Sequence, residues 1–323
     1  SGVNSMGLSF HPCIEGVLAS RASKEISVFD CYTSKEVFNY NQFTHDIYSF
    51  AIANHSCNTI GVTSKDKMLR LIDIRSSNAS GSGCGCSSST EIHEGTRGTR
   101  LCWLGEHSNM LVTTGHSKSN QDRELSIWDC RNLTKPVNTT RLDSATGVIM
   151  PFYDYDTNLL CLLGKGDATM KIFEYEALFE SESDTVSTYK GVYPIINTIP
   201  TGCSNTDITR GATILPKQCN DLMKCEVIKC LRLYDGRIQP ISCKVIRNEK
   251  TKFHEDLYPP TVCEASPVGS CKDNQDWIDN TTLQKPNKIA LKVSKQSIST
   301  TPTKQTDHTT ESTSSVSSSA VSP

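Results

Sequence analysis

The chain has 323 residues, 36% of them hydrophobic, and a formal net charge of −2. It is long enough for one large domain or two ordinary ones, and no global field draws it onto nucleic acid or a membrane surface. Aromatics make up only 7%, a thin core for this length, which predicts that part of the chain stays unfolded.

The opening SGVNSMGLSF has no basic-then-apolar leader pattern. No apolar run approaches a bilayer span, so the chain does not read as an integral membrane protein. The 15 cysteines read as free thiols of a reducing compartment. N-x-S/T triplets at Asn54, Asn78, Asn132, Asn138 and Asn280 would suit a secreted chain, but such triplets arise by chance in Ser/Thr/Asn-rich sequence. Residue 1 enters a pattern already under way, so the chain is read as a fragment.

The first element, ASKEISVFD, ends at Asp30. SKDKMLRLID ends at Asp73, QDRELSIWD at Asp129 and GKGDATMKIFE at Glu174. The spacings are 43, 56 and 45 residues, and the long one holds SSNASGSGCGCSSST, read as an insertion over 76–90. Without it the period is about 40–45, that of a four-stranded propeller blade. Ile26 and Val28, Leu69 and Leu71, Leu125 and Ile127, Met170 and Ile172 alternate ahead of the final acid. Period two means a strand.

Asp66, Asp122 and Asp167 stand seven residues before the terminal acid, where a carboxylate can accept hydrogen bonds from turn amides. Ser23 takes that place in the first copy. His45 and His93 lie ahead of Asp66 and Asp122. They are expected to reach over their blades and bond the turn Asp or a neighbouring Ser or Thr, in a structural role. Trp128 is read as packing and strand anchorage; Phe29, Ile72 and Phe173 hold its place elsewhere. SMGLSFHPCIEGVLAS, DIYSFAIANHSCNTIGVTS and TRLCWLGEHSNMLVTTG align as strand, turn, strand ahead of these elements. The fold class predicted is an all-β, WD40-type β-propeller.

After Tyr175 the pattern weakens. Val227, Leu231 and Leu233 are expected to form a fifth, degenerate unit. Phe253, Leu257 and Tyr258 in KFHEDLYPPT are spaced to dock on a propeller face, with Pro259 and Pro260 stiffening the exit. The Ser/Thr-dominated end has no heptad and is expected to be disordered. Domains are therefore drawn as blades over 1–245, a packing extension over 246–262 and a polar tail over 263–323.

The chain resembles the coronin family in KDKMLRLIDIRS, HEGTRGTRLCWLG, LVTTGHSKSNQDRELSIWDCRNL, LDSATGVIMPFYDYDTNLLCLLGKGDATMKIFEY and KFHEDLYPPT. The resemblance covers about residues 3–261 and implies a seven-bladed WD-repeat propeller. About five blades are present, so the first two, with the family's N-terminal basic segment, are read as missing. GATILPKQCNDLMKCEVIKCLRL is closer to the tandem-propeller coronins, which are associated with Golgi and vesicle trafficking. The partners implied are actin filaments, with the Arp2/3 complex or trafficking proteins beside them, in the cytoplasm and on the cytoskeleton. Lys65, Lys67, Arg70 and Arg75, on and beside one strand, are the candidate actin contacts.

No catalytic, metal-binding or cofactor-binding constellation is read. Cys84 and Cys86 form CGC inside a Gly/Ser stretch, and Cys225 to Cys230 lacks a completing His/Cys set. LLGKGDA is no phosphate loop. The expected function is non-enzymatic binding of actin filaments, the alternative a trafficking scaffold.

Overall fold

The computed structural model describes residues 7–12, 14–54, 58–77, 86–105, 109–179, 187–200, 208–248, 252–262 and 288–291, and only the backbone of 76–77, 177–179 and 187–200. They belong to one compact unit, Ser1–Leu291. A second unit, Lys292–Pro323, lies outside the described residues.

The chain folds into consecutive antiparallel sheets. The first blade is β1 (Gly7–Phe10), β2 (Val17–Arg21), β3 (Ile26–Asp30) and β4 (Lys35–Tyr40), paired in that order. The second is β5 (Ile47–Ile52), β6 (Thr59–Ser64), β7 (Met68–Asp73) and β8 (Cys86–Glu91). The third is β9 (Arg100–Leu104), β10 (Met110–His116), β11 (Arg123–Asp129) and β12 (Asn138–Asp143). The fourth is β13 (Ile149–Asp154), β14 (Leu159–Gly164), β15 (Thr169–Phe179) and β16 (Ser187–Pro200). The fifth shows three strands, β17 (Thr209–Ile214), β18 (Glu226–Tyr234) and β19 (Arg237–Lys244).

The middle strands carry the core. Every residue of β10, MLVTTGH, is buried, because neighbouring blades cover both sheet faces. Outer strands need only one apolar face. β8 alternates half-buried and exposed residues. It occupies the end of the stretch read as an insertion, so that reading is corrected: from Cys86 onward the residues are blade, and 78–85 lie outside the described residues.

Four apolar seams join the five blades. Val28 of the first meets Ile60 and Val62 of the second. Leu69 and Leu71 meet Trp103, Leu111 and Trp128, Val112 and Ile127 meet Leu160 and Leu162, and Leu163 and Met170 meet Ile228 and Cys243. Innermost strands touch in sequence, β5 to β9, β9 to β13 and β13 to β17. Polar bonds follow the same path. Trp103 Nε1 donates to the Ala51 carbonyl at 3.0 Å, and Tyr155 Oη to that of Trp103 at 3.3 Å. Among the described residues the most exposed large apolar side chains are Leu8, Phe10 and Tyr32 in the first blade, and Ile238 and Ile246 in and just after the fifth.

The fifth blade carries Val227, Leu231 and Leu233 on β18, as expected, but its more buried face is the other one. On β18 the buried residues are Glu226, Ile228, Cys230 and Arg232. Val227 and Leu231 are half-buried and Leu233 is exposed. Two-residue periodicity makes such a choice of face all or none.

Beyond the fifth blade, Tyr258 is buried and its hydroxyl donates to the Glu226 carbonyl at 3.2 Å. The Phe253 ring stacks on it with centroids 5.6 Å apart. Thr261 bonds Asp156 in the β13–β14 turn of the fourth blade. β20 (Thr261–Val262) pairs with β21 (Lys288–Ile289), which places a strand inside the stretch read as tail. The rest of 263–323, and with it the expectation of disorder, lies outside the described residues.

Candidate functional site

The blade end that carries the turns from second to third strands gathers nearly all of the residues singled out in the sequence. In the third blade the Trp128 indole donates to Thr113 Oγ1 at 2.9 Å. That hydroxyl lies 2.7 Å from His93 Nε2, and His93 Nδ1 lies 2.8 Å from Glu124 Oε1. One line of polar contacts thus crosses the sheet within a buried setting, where an unmade bond would be costly. The acid is Glu124, not Asp122. Asp122 sits at the turn after Gln121, whose φ is +55°, and pairs with Arg141 at 2.9 Å. His45 differs further. It is exposed, and its described hydrogen bond is to its neighbour Thr44. It does not reach Asp66.

Asp66 receives the Met68 amide at 3.2 Å, the Ser64 hydroxyl at 2.6 Å and the Arg70 guanidinium. Burial pushes its carboxyl up, but the Arg70 and Ser64 bonds outweigh that and leave it below the ordinary value. Asp167 receives Arg123 Nη1 at 2.8 Å. Arg123 is buried and also grips Asp143 through two bonds of 2.5 and 2.6 Å. Lys171 adds a further contact to Asp143. One guanidinium therefore links the third blade to the turn of the fourth. Burial would raise the Asp143 carboxyl; Arg123 and Lys171 hold it well below the usual carboxylate range.

Lys65, Lys67, Arg70 and Arg75 do not form one patch. Lys65 is exposed. Lys67, at a φ of +64°, donates to the Glu94 carbonyl at 2.7 Å. Arg70 is committed to Asp66. Arg75 follows the opposite end of β7, about 17 Å along a six-residue strand, where it pairs with Asp73 at 2.8 Å. Arg131 makes the same pair with Asp129 at 2.7 Å. In both copies the acid also accepts the amide two residues on. Asp-x-Arg is thus a repeated turn clamp, visible once the copies are aligned on their terminal acid.

A cleft of about 490 Å³ overlies the polar line and is edged by Glu91, Glu94, Lys118 and Ser126. Its carboxylates are partly engaged already, Glu94 by Lys118 at 2.8 Å and Glu124 by His93. Among the described residues no His, Cys, Asp and Glu group could hold a metal, and every described cysteine is a free thiol. No described helix is long and apolar enough to cross a membrane.

Repeated sheets, stacked seam to seam with a Trp–Thr–His–acid line across one of them, define a WD-repeat β-propeller protein. A model described as a type of WD40 repeat matches residues 238–281, spanning β19 and the segment after it. The crystal structure of the WD40 domain from Toxoplasma gondii coronin superposes with a TM-score of 0.73 at 22% identity, covering 90% of this chain and 67% of that one. Coronin-7 of Mus musculus is 32% identical over 279 residues, 86% of this chain and 27% of that protein. Coronin-7 of Homo sapiens is 31% identical over the same shares, and that of Bos taurus 32% identical over 79% of this chain and 25% of its own. The chain belongs to the coronin family. It spans about a quarter of the length of the curated relatives it matches.

Proposed function

We propose that the chain is a non-enzymatic binding module that contacts actin filaments, in the cytoplasm and on the cytoskeleton. Membership of the coronin family carries this reading. The turn with exposed Lys65 and half-buried Lys67 on either side of Asp66 supplies the contact. Arg70 and Arg75 take no part, because each is spent on its own aspartate. Cations facing an acidic filament contribute mainly long-range attraction and association rate. Co-sedimentation tests it. Reversal of Lys65 and Lys67 to Glu is expected to weaken pelleting with filaments severalfold at low salt and much less at high salt. Unchanged pelleting at low salt rejects the patch.

A second reading is favoured by the relatives, since Coronin-7 stands on the tandem side of the family. On it, the blades are a scaffold in Golgi or vesicle trafficking, with trafficking proteins or the Arp2/3 complex as partners. If the unsubstituted chain fails to pellet with filaments, the actin reading falls and this one takes its place.

A further inference from the structure

His116 ends β10 and faces the fourth blade. Side chains two residues apart share a face of a strand, and those before it on that face cross the seam. Thr114 Oγ1 donates to the Ile149 carbonyl at 3.0 Å, and Val112 packs with Leu160 and Leu162. The residue paired with His116 on β11 is Arg123, so imidazole and guanidinium are neighbours on one face. The two residues are 2% and 3% exposed. Arg123 crosses to the Asp167 carboxylate and, at 3.4 Å, to the Gly147 carbonyl. The Gly95 amide donates to the His116 carbonyl at 2.8 Å, and a Cβ on Gly95 would stand 2.6 Å from that of His116. The backbone of His116 is thus pinned at the seam.

The carboxylates around this seam serve other groups. Asp143 and Asp167 both bond Arg123, and Lys171 also bonds Asp143. On β11 and the turn before it, Glu124 is turned to His93 and Asp122 to Arg141. Lys165, on the turn that carries Asp167, is exposed and adds positive charge. Neither ring nitrogen of His116 makes a hydrogen bond of good geometry among the described residues, although the Ala145 backbone lies close enough to favour a charged ring. Burial pushes the ring below its ordinary value, and Arg123, Arg97 and His93 push it the same way. A neutral imidazole suits this place. A charged one would be a second cation beside Arg123, where little water reaches either.

We propose that His116 is a proton-sensitive latch on the seam between the third and fourth blades. Neutral, it fills the space beside Arg123 and the seam stays shut. Protonated, it repels Arg123, and the repulsion is relieved by admitting water at this end of the seam. That frees the segment 144–148 and the Asp167 turn from the third blade. An opened or unfolded chain takes the proton near the ordinary histidine value of about 6.5, and the closed seam resists it. The latch is at full strength above that pH and is lost as pH falls through and below it. This window lies above the carboxylate range, so it is separate from the acid loss at Asp143. The latch does not depend on the actin reading, and neither does its test.

The test uses the full chain and the variant His116→Gln, which cannot take the proton. Thermal melting and amide hydrogen exchange, corrected for the intrinsic effect of pH, are read from one pH unit above to one pH unit below about 6.5. For the unsubstituted chain the expected result is a fall in Tm of at least about 2 °C. Exchange is expected to quicken severalfold at the end of β10, the start of β13 and the Asp167 turn, and not in the first and second blades. In His116→Gln both changes shrink to less than half. Should that variant fail to bury Trp103 and Trp128, His116→Phe, which keeps a ring, takes its place. A variant that keeps the full fall in Tm overturns the latch. So does an unsubstituted chain whose exchange stays unchanged or rises equally in every blade.

Discussion

Replacing Arg123 by Met keeps most of the side-chain volume and removes the charge. Arg123 is 3% exposed, while the carboxylates it holds, Asp143 and Asp167, are 28% and 17% exposed. Breaking a fully buried ion pair costs roughly 3–5 kcal/mol because a charge is left stranded. Here water reaches both acids and Lys171 still faces Asp143, so the cost is set lower, at about 2–4 kcal/mol. The Asp143 carboxyl is held well below its ordinary value in the folded chain. That stabilisation is present above the unfolded carboxylate pKa of about 4 and is lost as pH falls below it. Urea unfolding read through Trp103 and Trp128, both buried in the same blade, is the assay. The unsubstituted chain is expected to lose stability steeply below about pH 4, and Arg123→Met to start lower and lose less over that range. A variant within about 0.5 kcal/mol of the parent, the scatter of ordinary surface changes, with an unchanged acid slope, would refute the role given to this arginine.

Thr113→Val is expected to cost about 2–4 kcal/mol in the same assay, since it strands the Trp128 N–H and a His93 ring nitrogen in a buried setting. Asp122→Ala is expected to cost only about 1 kcal/mol, because its Arg141 partner is largely in water; the reverse ranking would contradict the placement of Glu124 in the polar line. The full chain is expected to bind a hydrophobic dye through Leu8, Phe10, Ile238 and Ile246. Fluorescence with Phe10→Ser and Ile238→Ser combined should drop severalfold, and unchanged fluorescence would place the apolar surface elsewhere.

Much of the fold could be read from alternation alone. Ile26 and Val28, Leu69 and Leu71, Leu125 and Ile127, and Met170 and Ile172 are all buried. Alternation failed where composition hid it. β8 reads CSSSTE, polar enough to pass for a linker, because an edge strand can fold with little apolar surface. On β18 both faces carry apolar residues, so sequence did not choose between Leu231 and Cys230. The partner of His93 was missed for a geometric reason. Asp122 is nearer the turn, but Glu124 lies two residues farther along, at the register position opposite Gly115; its longer side chain reaches the ring. Arg75 reads as a surface cation in isolation, and only its alignment with Arg131 reveals the Asp-x-Arg clamp.

Three side-chain hydrogen bonds from one innermost strand, or the turn after it, to the preceding innermost strand point one way. Arg100 donates to Tyr48, Trp103 to Ala51 and Tyr155 to Trp103, and each donor lies 52 residues downstream of its acceptor. A chain leaving the ribosome N-terminus first therefore exposes each acceptor before its donor has been made. For these three bonds the third and fourth blades each meet a strand that is already waiting, so their docking matches the order of translation. Circular permutation that moved the third blade ahead of the second would reverse that order for Arg100 and Trp103.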